Sequence, residues 1–206
     1  MKRYKENETD AVAVSLAQGS LMAFPTDTVF GLGTMYGSLD RLQRLKHAKH
    51  RPETKPVPFM TDSLDKLSSL AVVTEEARKL ARAFLPGALT LVMKRQPAVD
   101  AAYTNGMETI AVRIPDAPAL LEIMRQLPAP LLVTSANQSG ETAALSAEEA
   151  ARALPAIDGV MEGTCAGGIA STIVDCTIQP VKILRQGPVS EEQIRQVLSQ
   201  PEPDND

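Results

Sequence analysis

Leu131-Leu132-Val133-Thr134-Ser135-Ala136-Asn137-Gln138-Ser139-Gly140 passes in one step from an apolar run to hydroxyls, amides and a glycine. An apolar triplet bounded in this way reads as a buried strand, and buried strands belong to α/β sheets. Loops beyond such strands are where ligand-binding groups gather, so Thr134 to Gly140 offers hydroxyls, an amide and backbone N–H groups at a sheet end. A helix N-cap or plain turn is the competing reading. Ser135 lacks the flanking-glycine elbow of a hydrolase nucleophile, and the only histidines of the chain, His47 and His50, sit in a distant segment. Ser135 is therefore read as a binder.

Outward from this run, helices and strands alternate. The periodicity predicts helices over 10–18, 39–48, 74–84 and 119–127, the third with acids in its first turn and bases later, as the helix dipole favours. Ser146 with Glu149, and Ser190 with Gln193, open two more. Strands are predicted at 21–24, 56–60, 89–93, 109–114, 157–161, 171–177 and 181–184. No repeat, low-complexity block or linker interrupts them, so one α/β domain over 1–200 is expected, with a disordered tail at 201–206.

Composition narrows the function classes. The chain has 206 residues, 44% hydrophobic and 22% charged, enough for one sizeable core and not a disordered composition. Its net charge of −4 excludes a surface that coats nucleic acid or anionic lipid by bulk electrostatics, so any basic site must be local. No apolar run approaches membrane-helix length, the N-terminus is polar, and a cytoplasmic location is expected. Cys165 and Cys176 fit neither a zinc knuckle nor a disulfide framework and read as reduced, partly buried residues.

Fixed cations mark the second cluster. Arg41, Arg44, Lys46, Lys49, Arg51 and Lys55 are opposed only by Glu53, a run that is ordinarily a solvated helix face. Pro52 biases Arg51 out of the helical region, and an extended segment would turn Lys49 and Arg51 to one side, where they suit a polyphosphate. His47 and His50 lack companions for a metal site and are read as surface residues.

Further polar groups stand at strand ends. Pro25-Thr26-Asp27-Thr28-Val29-Phe30-Gly31-Leu32-Gly33 combines a strand-ending proline, hydroxyls, a carboxylate and glycines that permit close approach, although strand–turn–strand is the plain alternative. Neither a dinucleotide fingerprint nor a phosphate-loop pattern is present. Arg113 interrupts an apolar strand, either at an edge or facing a cavity that awaits an anion. Ser171-Thr172 and Arg185-Gln186-Gly187 repeat the theme, so five segments point at an anionic ligand.

These segments, with Lys49-His50-Arg51-Pro52-Glu53-Thr54-Lys55-Pro56 and Pro86-Gly87-Ala88-Leu89-Thr90, resemble in their order the YrdC family of L-threonylcarbamoyladenylate synthases over about residues 10–198. The resemblance is to the short form, without a further C-terminal domain. It implies a twisted, open mixed sheet flanked by helices with a concave basic cavity. It also implies a reaction in which L-threonine, bicarbonate and ATP give threonylcarbamoyl-AMP and pyrophosphate, with Mg²⁺ as the metal and a downstream threonylcarbamoyl-transfer complex that modifies tRNA.

By motif, the catalytic tetrad falls on Lys49, Arg51, Ser135 and Asn137, and the threonine set on Thr26, Arg113 and Ser171. The nucleotide set comprises Lys49, Arg51, Lys55, Thr109, Ser135 and Arg185; Lys55 is at a variable position, and Met60 stands where some relatives carry histidine. Two other classes remain open, an RNA-binding module that holds tRNA or double-stranded RNA, and a hydrolase of small phosphorylated or carbamoylated compounds. Against the RNA reading stand the acidic total and the 3% aromatic content.

Overall fold

In the computed structural model, residues 1–200 are described, and the predicted disordered tail lies outside the described residues. The chain runs β1 (Lys2–Tyr4), α1 (Thr9–Ala17), β2 (Met22–Phe24), β3 (Gly31–Met35), α2 (Leu39–Ala48), β4 (Phe59–Met60), α3 (Leu64–Leu70), β5 (Ala71–Val72) and α4 (Glu75–Phe84). There follow β6 (Leu89–Arg95), a 3-10 turn (Ala101–Thr104), β7 (Thr109–Arg113), α5 (Pro118–Gln126), β8 (Leu131–Ser135), α6 (Ala147–Ala153), β9 (Gly159–Met161), β10 (Thr172–Asp175), β11 (Lys182–Arg185) and α7 (Glu191–Ser199).

Local chemistry sets the helix ends. Ser38, Ser63, Thr74, Ser146 and Ser190 each sit in extended backbone and accept the N–H three residues on, which satisfies a donor the helix leaves orphaned. Ser190 and Gln193 complete the reciprocal box, whereas the Glu149 carboxylate accepts from the Leu145 N–H instead. Along α5, Leu120, Leu121, Ile123 and Met124 are buried, each stabilising by about 1.5–3 kcal/mol relative to exposure.

The strands join one mixed sheet in the order β1-β9-β2-β3-β8-β4-β7-β6-β10-β11, with β5 beside β6. Its register sorts the residues by face. Leu32, Leu132, Phe59, Val112, Leu91 and Val174 point to one side and are fully buried in the core. Val133, Met60, Arg113, Ala111, Val92 and Ile173 point to the other, and that face floors a cavity. The result is a single-domain α/β sheet flanked by helices, as expected.

Gly31 and Gly33 shape this face by leaving room. A Cβ on Gly33 would come within 2.7 Å of the Phe24 ring, and one on Gly31 within 3.0 Å of both Phe24 and Val133. The close approach foreseen for these glycines is thus made by core side chains.

Candidate functional site

The Pro25-Thr26-Asp27-Thr28 turn folds on its own hydroxyls. Thr26 Oγ1 accepts the Thr28 N–H at 3.1 Å and donates to the Val29 carbonyl at 2.7 Å. Arg113 reaches this turn from the open end of β7 and fixes it. Its Nη2 donates to Asp27 Oδ1 at 2.6 Å, Nη1 to Thr28 Oγ1 at 3.0 Å, and Nε to the Gly87 carbonyl at 3.0 Å. Burial lowers the Arg113 pKa and Asp27 acts against that; an arginine keeps its charge regardless.

Two more guanidinium groups are held by neutral oxygens. Arg51 donates from Nη2 to the Pro56 carbonyl at 2.7 Å, from Nε to the Lys55 carbonyl at 3.2 Å and from Nη1 to Thr134 Oγ1 at 3.4 Å. Arg185 grips the Ser171 carbonyl through Nε and Nη2, at 3.0 and 2.8 Å, and the Ser171 hydroxyl at 3.2 Å. Ser171 in turn shares a hydrogen bond with Thr90 Oγ1 at 2.8 Å. Burial lowers both guanidinium pKa values, and at Arg185 the charge of Arg113 adds to it.

Between these groups lies a cavity of about 360 Å³. Of the sequence-derived residues, Thr26, Arg113 and Ser171 of the threonine set and Arg51, Lys55, Ser135 and Arg185 of the nucleotide set line it. Arg51, Lys55, Arg113 and Arg185 bring four cations, and no acidic residue stands among the described lining residues. Met60 also faces it and supplies an apolar wall.

Lys49 and Asn137 sit behind this lining. The Lys49 ammonium, in a residue only 1% exposed, donates to the Ser135 carbonyl at 2.7 Å and to the backbone and side-chain oxygens of Asn137, both at 3.0 Å. Ser135 Oγ donates to the same Asn137 Oδ1 at 2.6 Å. Lys49, Ser135 and Asn137 therefore form one connected group, and Arg51 meets it only at Thr134, the neighbour of Ser135 in β8; Arg51 and Ser135 line the cavity and Lys49 with Asn137 lies beneath.

Two expectations are corrected. Lys49 and Arg51 do not share a side of an extended segment: Lys49 ends α2, His50 adopts φ 50, and the N–H groups of His50 and Arg51 return to the carbonyls of His47 and Lys46. That left-handed helix end sends the two side chains to different depths. Thr109 lies away from the cavity at the start of β7, opposite Lys94, because the strand carries it to the far end from Arg113.

Asp27, Thr28, Thr90 and Thr134 were not singled out for roles, although each belongs to a quoted motif; their partners lie far along the chain. His47 and His50 are exposed, and among the described residues no cluster of His, Cys, Asp and Glu could hold a metal ion. Cys165 and Cys176 are free and buried; burial raises both thiols, Cys176 to about 12, so neither is a poised nucleophile.

Comparison with known proteins bears on the fold and the family. The family model Sua5_yciO_yrdC, described as telomere recombination, matches residues 14–187. The chain is 35% identical to the threonylcarbamoyl-AMP synthase of Bacillus subtilis (strain 168), covering 90% of this chain and 55% of that protein. It is 34% identical to the threonylcarbamoyl-AMP synthase of Pyrococcus abyssi (strain GE5 / Orsay), over 97% of this chain and 59% of that one. The crystal structure of P. abyssi Sua5 complexed with L-threonine superposes with a TM-score of 0.90 at 33% identity, covering 96% of this chain and 60% of that chain. The chain thus spans less than two thirds of the length of these relatives. The match of the family model over residues 14–187, with the sequence identity and the shared fold, shows that the chain belongs to the Sua5/YciO/YrdC family.

Proposed function

We propose that this chain is the catalytic domain, over 1–200, of a threonylcarbamoyl-AMP synthase, joining L-threonine, bicarbonate and ATP with release of pyrophosphate. The observation that carries the reading is the cavity lined by Arg51, Lys55, Arg113 and Arg185 without a carboxylate among its described lining residues. The names of the relatives support it.

The chemistry explains why such a site is needed. Bicarbonate and the threonine amine give a carbamate with loss of one water, and the carbamate oxygen then attacks the α-phosphorus of ATP as the bond to the β-phosphate breaks and pyrophosphate leaves. Both reactants are anions, so their approach is opposed unless fixed cations neutralise them and hold them in line. Arg51, Lys55 and Arg185 are assigned to the phosphates. Arg113 takes the threonine carboxylate, with Thr26 and Ser171 beside it, and Ser135 orients nucleotide or carbamate. Lys49 and Asn137 hold the Ser135 loop in place.

A protein-held Mg²⁺ does not fit this lining. Mg²⁺ sites use one or two carboxylates besides substrate phosphates. Asp27, which meets Arg113 at the turn, is already paired with it. No step is therefore assigned to a protein-bound metal.

The RNA-binding alternative gains nothing from the basic run. Arg44 is paired with Asp158, Lys46 with Glu53, and Lys49 is buried, so the run is not a continuous exposed stripe. No described helix is long and apolar enough to cross a membrane. A cytoplasmic location and a downstream complex that moves the threonylcarbamoyl group to tRNA go with the synthase reading. Incubating the protein with ATP, bicarbonate and L-threonine, omitting each in turn, tests it by mass spectrometry. The adenylate is expected only in the complete mixture, and its absence there overturns the reading.

A further inference from the structure

Lys46, in the last turn of α2, is buried like Lys49 just beyond that helix, and the proposed reaction does not use it. Its side chain is 3% exposed, and its ammonium donates to Glu53 Oε2 at 2.9 Å, the Glu53 carbonyl at 3.2 Å and Asn105 Oδ1 at 3.0 Å. Burying an ammonium is costly unless its hydrogens find partners, so these three oxygens define where it sits. Asn105, at φ 54 after the 3-10 turn, offers its oxygen to Lys46 and leaves its Nδ2 buried without a partner.

The backbone of Lys46 is engaged as well. Its carbonyl accepts the Arg51 N–H at 2.8 Å. One residue thus holds the start of the 51–53 segment by its main chain and the end by its side chain. Beyond it the Lys55 N–H bonds the Pro52 carbonyl at 3.0 Å, and Arg51 is bracketed by the carbonyls of Lys55 and Pro56. Both cations that reach the cavity from this segment, Arg51 and Lys55, are placed by a turn secured from behind.

We propose that Lys46 is a positioning residue for polyphosphate recognition: with Glu53 and Asn105 it fixes the 51–55 turn so that Arg51 and Lys55 present their charges to the cavity. The proposal rests on the reading of that cavity as the ATP site. Without the link, the turn has to be ordered when nucleotide binds, which weakens affinity. An effect on holding phosphate in both ground and transition states raises KM and spares kcat.

Wild type, Glu53→Ala, Lys46→Met and the double variant are compared by equilibrium dialysis with labelled ATP and by threonine-dependent pyrophosphate release. Lys46→Met is expected to raise the ATP Kd by about tenfold and Glu53→Ala by less, since it leaves the bonds from Lys46 to the Glu53 carbonyl and to Asn105, and the double variant should lose nothing beyond Lys46→Met. The kcat should stay within about twofold, and because Glu53→Ala takes the counter-charge from an ammonium in a side chain 3% exposed, its thermal midpoint should fall, so binding is compared at a temperature where every variant is folded. Should Lys46→Met not fold, Asn105→Ala is measured alone in its place, and it too should weaken ATP binding. An unchanged ATP Kd in folded variants, or effects that multiply in the double variant, overturns the proposal. A wild type that binds ATP but releases no pyrophosphate sinks the synthase reading alone, and the dialysis still decides the role of Lys46.

Discussion

The Lys49 ammonium lies 3.0 Å from both oxygens of Asn137, and with the Ser135 carbonyl its three protons meet three oxygens, none of them charged. Burial first, and the charge of Arg51 second, pull its pKa from 10.5 down to about 8.

That value sets a pH dependence. With the folded pKa below the unfolded one, the penalty for burying a charged lysine is present in full below pH 8 and is relieved as pH rises toward 10.5, by on the order of 3 kcal/mol at most. The neutral amine has one proton fewer for the Ser135–Asn137 loop. The kcat/KM for ATP should therefore fall on an alkaline limb near pH 8, while this residue's contribution to stability rises. Lys49→Met should lack that limb, fold, and lose about 100-fold in turnover through a displaced loop. A pH profile that is the same in the variant contradicts the assignment.

Asp27 and Arg113 form a buried pair at 2.6 Å with side-chain exposures of 14% and 5%. Removing the carboxylate leaves a guanidinium buried without its counter-charge, so Asp27→Ala should cost about 3–5 kcal/mol in denaturant unfolding. Arg113→Lys keeps the charge but cannot span Asp27, Thr28 and Gly87 together. It should raise the KM for threonine more than that for ATP.

Gly187 lets the segment after β11 press on Ala170 to Thr172, the lead into β10 that carries Ser171. A Cβ there would overlap the Ala170 carbonyl and the Thr172 amide, and the Gly187 N–H donates to Thr172 Oγ1 at 2.9 Å. Gly187→Ala should destabilise by about 1–3 kcal/mol and separate Arg185 from Ser171, lowering turnover. Differential scanning calorimetry and steady-state rates check both.

Ser135 Oγ donates to Asn137 Oδ1 at 2.6 Å and has no histidine among its hydrogen-bond partners. Ser135→Ala should slow the reaction by about 10–100-fold through lost orientation and leave the protein folded. Trapping of a covalent Ser135 adduct by mass spectrometry would contradict its role as a binder.

The helices were legible because their signals are local. The helix expected over 39–48 is found at Leu39–Ala48, since its amphipathic spacing lies within a few positions. β1 was missed because only Tyr4 of its three residues is buried, which leaves no alternation to detect, and the short α3 and β5 were missed too. The site was legible as a set of strand-end polar groups, not as a geometry. Lys49 meets partners 86 and 88 residues away, and the left-handed His50 that separates it from Arg51 carries no glycine to announce it.

One cavity is proposed to hold both reactants. A crystal structure of the protein grown with ATP and L-threonine tests it most directly. Phosphates are expected against Arg51, Lys55 and Arg185, and the threonine carboxylate at Arg113 beside Thr26 and Ser171. Nucleotide or threonine bound elsewhere, with the cavity empty, would contradict it.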